Sequence, residues 1–106
     1  MADWVNVGTV EEIPPGTHKV TDVNDVLIAV FNVAGQFYAI EDVCTHDGGI
    51  LTGGTVKDCI ITCPRHGATF DIRTGMALTA PAYEPTATFP VRIEDGMVQV
   101  KDDRWD

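Results

Sequence analysis

Four residues of metal-ligating type fall into two short, matched segments, Cys44-Thr45-His46 and Cys63-Pro64-Arg65-His66, with sixteen residues between His46 and Cys63. Each segment offers one thiolate and one imidazole. Each is also followed by small residues, Gly48-Gly49 after the first pair and Gly67 after the second, which let a backbone take unusual dihedrals or approach a bound group closely. Pro64 stiffens the second segment between its two ligand-type residues. Two chemistries accept such a set. Zinc takes two sulfurs and two nitrogens tetrahedrally, although its familiar spacings put Cys beside Cys and His beside His. A two-iron, two-sulfide cluster of mixed ligation takes two thiolates on one iron and two imidazoles on the other, so each of two facing loops would give one ligand to each iron. The alternation of Cys and His suits this second arrangement better.

Such loops need a stiff frame, and the flanking sequence supplies strands. Residues 26–33 (VLIAVFNV) and 37–41 (FYAIE) are rich in β-branched and aromatic side chains around the turn chemistry of Ala34-Gly35-Gln36, which predicts a hairpin. Residues 89–94 and 97–101 form a second pair around Asp95-Gly96, a two-residue turn signal. Shorter strands are expected at 4–7, 18–23, 59–62 and 68–71, separated by clusters of Gly, Pro and Thr. No apolar pattern of helical period persists for three turns. The fold class expected is therefore all-β, an antiparallel sandwich or barrel with its function on the loops.

Composition bounds the rest. A chain of 106 residues buries roughly two thirds of its unfolded surface, enough for one core, so residues 1–106 read as a single domain. Sixteen acidic against seven basic side chains give a formal net charge of −9, which argues against nucleic acid and anionic membranes as partners. No segment has the length of an apolar membrane span, and the N-terminal residues lack the pattern of a secretory signal, so a cytoplasmic location is expected. Three cysteines, Cys44, Cys59 and Cys63, speak for metal or redox use over a disulfide framework.

The C-x-H and C-P-x-H boxes, the length between them, their glycines and the segment Pro81-Ala82-Tyr83-Glu84-Pro85 resemble those of Rieske-type 2Fe-2S ferredoxins. These are electron-transfer components of multicomponent aromatic-ring-hydroxylating dioxygenases, and the resemblance covers almost the whole chain. It implies an antiparallel β-sandwich or incomplete barrel carrying a small inserted cluster-binding subdomain, about residues 43–83. It implies one Rieske-type 2Fe-2S cluster, with Cys44 and Cys63 on the buried iron and His46 and His66 on the outer iron. The implied function is to carry single electrons from a NAD(P)H-dependent flavoprotein reductase to a terminal oxygenase of the biphenyl, toluene, naphthalene or carbazole type, with no catalytic site of its own. Candidate apolar contacts for those partners are Ile50, Leu51, Pro81 and Tyr83.

The departures from respiratory Rieske proteins also carry expectations. Those proteins have an additional Cys in each box, forming a disulfide that clamps the loops, where this chain has Gly49 and Arg65. They carry a Ser and a Tyr whose hydroxyls donate to cluster and ligand sulfurs, where this chain has Ala68 and Phe70. Without those donors, and with a net charge of −9, the potential is expected near the low end of the Rieske range, about −150 mV. The proline segment is expected to shield the cluster, and Asp47 to be either a solvated loop carboxylate or a charge that tunes the site. Cys59 reads as a small core residue, His18 as a surface strand position, Trp4 and Trp105 as residues docked on the sheet, and 102–106 as a loose tail. Two other functions share parts of this pattern: a nitrite reductase small subunit, and a zinc-binding structural module. A catalytic oxygenase would need a downstream two-histidine, one-carboxylate iron site, and the chain ends at Asp106.

Overall fold

A computed structural model describes residues 3–104. Its strands are β1 (Val5–Thr9), β2 (His18–Val23), β3 (Val26–Val33), β4 (Gln36–Glu41), β5 (Val56–Lys57), β6 (Ile60–Thr62), β7 (Thr69–Asp71), β8 (Thr88–Phe89), β9 (Val91–Glu94) and β10 (Met97–Val100). One 3-10 turn, Val10–Glu12, follows β1 and carries a capping box between Thr9 and Glu12. No α-helix occurs among the described residues, and no helix is long and apolar enough to cross a membrane. The all-β expectation holds.

All pairings are antiparallel and give three sheets, β1-β10-β9, β2-β3-β4-β8 and β5-β6-β7. Local turn chemistry sets the registers. Asn24-Asp25, Ala34-Gly35 and Asp95-Gly96 each place two successive residues at positive φ, between 52° and 89°, the two-residue turn whose twist matches that of the flanking strands. The third sheet lies in the chain between β4 and β8, neighbours in the second sheet. Both ligand-type segments therefore sit within one excursion from that sheet.

Strand β3 is the middle of the molecule. Its side chains alternate between two cores: Ile28 and Val30 pack with Val7, Ile13, Val98 and Val100, while Ala29 and Phe31 pack with Cys44, Leu51, Ile61, Cys63 and Phe70. Period-2 geometry directs successive residues to opposite faces, so a strand covered on both sides reads as an unbroken apolar run. Strand β4 does the same with Ala39 and Ile40. One core thus cements the two base sheets, and the other roots the ligand loops.

Three expectations need correction. Residues 89–94 are not one strand. Pro90 lacks the N–H a ladder needs, and the chain leaves β4 after the Ala39–Phe89 pair and re-enters beside β10 at Val91–Val100. The tail is also less loose than expected: Asp102 is buried and binds the Arg104 guanidinium at 2.7 Å, while that guanidinium also lies 3.5 Å from Glu41 and over the Phe89 ring. Cys59 is only partly buried, because it sits with Asp58 (φ 55°) in the turn between β5 and β6, before the strand begins at Ile60. Trp4 does dock, half-buried beneath Arg92 at 4.4 Å from its ring centre; Trp105 lies outside the described residues.

Candidate metal centre

The two ligand-type segments fold into the same loop. In the first, the Cys44 N–H donates to Gly49 O and the Gly48 N–H donates to Cys44 O, both at 2.7 Å. In the second, the Cys63 N–H donates to Ala68 O at 2.7 Å and the Gly67 N–H donates to Cys63 O at 3.1 Å. Gly48 and Gly67 sit at equivalent places with φ of 78° and 76°, a region costly to residues bearing a Cβ. Gly54 serves differently, since a Cβ there would collide with the carbonyl of Thr62, the residue before Cys63.

The loops separate their donors by depth. Cys44 and Cys63 are buried to within 1% of full enclosure, whereas the His46 and His66 rings are exposed and stand 4.8 Å apart, edge to face. Burial pushes the Cys44 thiol up from its ordinary value, and the adjacent Cys63 sulfur adds to this; the backbone N–H groups of His46 and Asp47 donate to the Cys44 sulfur and pull the other way. Two neighbouring thiolates deprived of water need a cation between them, and backbone donors aimed at sulfur suit that state. A set of ligand atoms within 4.8 Å of one another comprises His46, Asp47 and His66, on the outer side of the loops. A single tetrahedral zinc needs all four donors around one point. Sulfurs within and imidazoles without suit a group of two metals, and the donor set fits a 2Fe-2S cluster of mixed ligation.

Several residues position these loops, and two of them carry no motif. Asp42 is buried at the end of β4, where its carboxylate accepts the Leu51 and Thr52 N–H groups, each at 2.9 Å, and the Thr52 hydroxyl at 2.7 Å. It thereby closes the far side of the first loop. The Thr45 hydroxyl donates to Glu84 O at 2.6 Å, tying the same loop to the proline segment. Nothing about a lone Asp or Thr in the sequence announces such partners; the local signal is only that Thr45 follows Cys44 and Asp42 stands two residues before it.

Asp47 is held in place from both loops. The Gly49 N–H holds its carboxyl below the usual range; burial opposes this, and the Arg65, His46 and His66 side chains add to the lowering. Gly49 and Arg65 face each other as expected, with no thiol at either. Ala68 and Phe70 are fully enclosed beside Cys63 and bring no hydroxyl. Of the four candidate contact residues, Ile50 (47% exposed) and Tyr83 (83%) are on the surface and Pro81 is half-buried, but Leu51 belongs to the core with no exposure. The hydrogen bond from its N–H to Asp42 draws it inward. His18 is exposed on β2, stacked against Phe31 at 5.3 Å, and takes no part in the site.

The sequence model of the Rieske [2Fe-2S] domain matches residues 3–90. Ferredoxin CarAc of Metapseudomonas resinovorans is 39% identical over 98 residues, covering 92% of each chain. The 3-phenylpropionate/cinnamic acid dioxygenase ferredoxin subunit of Escherichia coli (strain K12) is 42% identical over 88 residues, 82% of each chain. Among solved structures, a chain in the complex of reduced oxygenase and oxidized ferredoxin in carbazole 1,9a-dioxygenase superposes with a TM-score of 0.86 at 38% identity, over 92% of this chain and 91% of that one. Matched over most of its length and similar to ferredoxins of dioxygenase systems, the chain belongs to the Rieske [2Fe-2S] domain family, and its cofactor is a Rieske-type 2Fe-2S cluster.

Proposed function

We propose that the protein is the ferredoxin of an aromatic-ring dioxygenase system, taking single electrons from a NAD(P)H-dependent flavoprotein reductase and giving them to a terminal oxygenase. The observation that carries this reading is the layering of the site: buried sulfurs beneath an adjacent, exposed pair of imidazoles. In this reading Cys44 and Cys63 hold one iron and His46 and His66 hold the other, within a subdomain of about residues 43–83 inserted in a single domain. When bound, the cluster supplies a one-electron store. The core around the cysteines excludes water from the sulfur side, and the histidine loops offer the short path to a partner.

Partners of this kind must release each other quickly, so a small docking surface is appropriate. Ile50, in the chain just after the first histidine loop, and Tyr83, in the proline segment, provide exposed apolar contacts, with Pro81 half-buried. The chain itself needs no substrate pocket, which agrees with relatives named as ferredoxin subunits. The names of those relatives support a dioxygenase partner over a nitrite reductase one. A cytoplasmic setting, where NAD(P)H is available, agrees with three free cysteines.

The test is reconstitution. Reduced by NADH through a dioxygenase-type flavoprotein reductase, the protein should accept one electron per chain and lose it on addition of a terminal oxygenase with its aromatic substrate. Failure to be reoxidised by any of the biphenyl, toluene, naphthalene and carbazole oxygenases would count against this function.

A further inference from the structure

Asp47 and Arg65 lie on different ligand loops, and each adjoins a histidine in sequence: Asp47 follows His46, and Arg65 precedes His66. The Arg65 Nε stands 2.9 Å from Asp47 Oδ2. The carboxylate is set for this contact by its own loop, because the Gly49 N–H donates to Asp47 Oδ1 at 2.9 Å. The guanidinium reaches it by lying across Gly49, where an added Cβ would stand 2.9 Å from Arg65 Cδ and 3.1 Å from Asp47 Oδ1. Gly49 therefore leaves room for the arginine stem. Arg65 is largely open to water, yet the Asp47 side chain keeps only 20% of its exposure.

The backbone bonds at residues 44–49 and 63–68 each close their own loop. They shape the loops and leave their mutual spacing to side chains. We propose that the Asp47–Arg65 ion pair is a noncovalent clamp between the two ligand loops, and that it fixes the separation of the His46 and His66 imidazoles. This inference rests on the assignment of those histidines, with Cys44 and Cys63, as cluster ligands. Asp47 and Arg65 are positioning residues: they hold the loops that hold the ligands.

A double-mutant cycle on the purified holoprotein tests the clamp, with cluster loss followed as bleaching of the visible absorbance in excess chelator. Asp47→Asn keeps an oxygen for the Gly49 N–H, and Arg65→Met keeps an unbranched stem over Gly49 while removing the charge. Each single variant should lose its cluster about two- to fivefold faster, the scale of a partly exposed ion pair; because Asp47 Oδ2 also stands 3.6 Å from His66 Nε2, the double variant should be no faster than Asp47→Asn alone. Arg65→Lys should recover part of the loss. The reduced Arg65→Met protein should show broader electron paramagnetic resonance lines as the histidines lose a fixed geometry. Unchanged rates in the single variants, or effects that multiply in the double variant, would overturn the clamp while leaving the cluster assignment intact. A wild-type protein that holds iron and sulfide without histidine ligation would instead overturn the assignment and the clamp together.

Discussion

The Thr45 hydroxyl donates to the Glu84 carbonyl at 2.6 Å across 39 residues of sequence, so the first ligand loop and the proline segment are fixed to each other through one polar contact. Removing it loosens the proline segment from that loop without touching Cys44, Cys63, His46 or His66, while Ala82 stays packed in the core with the two cysteines. A single hydrogen bond of this kind contributes about 1 kcal/mol. Thr45→Val should therefore keep the cluster spectrum but bleach a few-fold faster in air or chelator, measured as a first-order rate against the wild type. Equal rates would mean that the proline segment is held by other contacts.

Asp42 offers a larger effect. Its carboxylate satisfies two backbone N–H groups and a hydroxyl at the base of the first loop, and an unpaired buried donor costs about 1–3 kcal/mol. Asp42→Ala should lower the unfolding free energy by roughly 3 kcal/mol, allowing for partial relaxation, as measured by denaturant titration. Asp42→Asn, which keeps one acceptor oxygen, should lose less.

The enclosed positions beside Cys63 offer a handle on the potential. Ala68 and Phe70 have no exposed surface, so a hydroxyl placed there has few partners besides sulfur, and a donor to sulfur favours the more negative, reduced state. Ala68→Ser and Phe70→Tyr should each raise the potential in protein-film voltammetry, and the pair should raise it further. An unchanged value would show that neither hydroxyl reaches a sulfur.

Acid stability should depend on the C-terminal segment. The Arg104 guanidinium holds the Asp102 carboxyl below its ordinary value, and the unfolded chain would titrate that group near about 3.9. A carboxyl lowered in the folded state contributes stability that is present above the unfolded value and lost as the pH falls through the folded one. Arg104→Gln should therefore lower the thermal midpoint at pH 6 and bring it nearer to the wild type below about pH 4. A constant difference across that range would contradict the linkage.

What the sequence discloses follows from how local the interactions are. The gathering of Cys44, His46, Cys63 and His66 at one place is legible because residue types, spacing and the following glycines all lie within six-residue loops. The hairpins were legible because two-residue turns advertise themselves. The break at Pro90 is hidden because apolar residues continue through it, and only its missing N–H marks the change of sheet. Neither the burial of Leu51 nor the role of Asp42 is legible in the sequence, because the bond between them spans nine residues and turns a surface-looking leucine inward. The Thr45–Glu84 tie is a contact of the folded state alone.

Whether two histidines and two cysteines share one two-iron group is read out by pulsed electron paramagnetic resonance of the reduced protein. Imidazole nitrogen on a paramagnetic iron couples its nuclear spin to the electron. Two distinct nitrogen couplings are expected, one of them missing in His46→Ala and the other in His66→Ala. A paramagnetic cluster without strong nitrogen coupling, or a silent protein containing stoichiometric zinc, would contradict it.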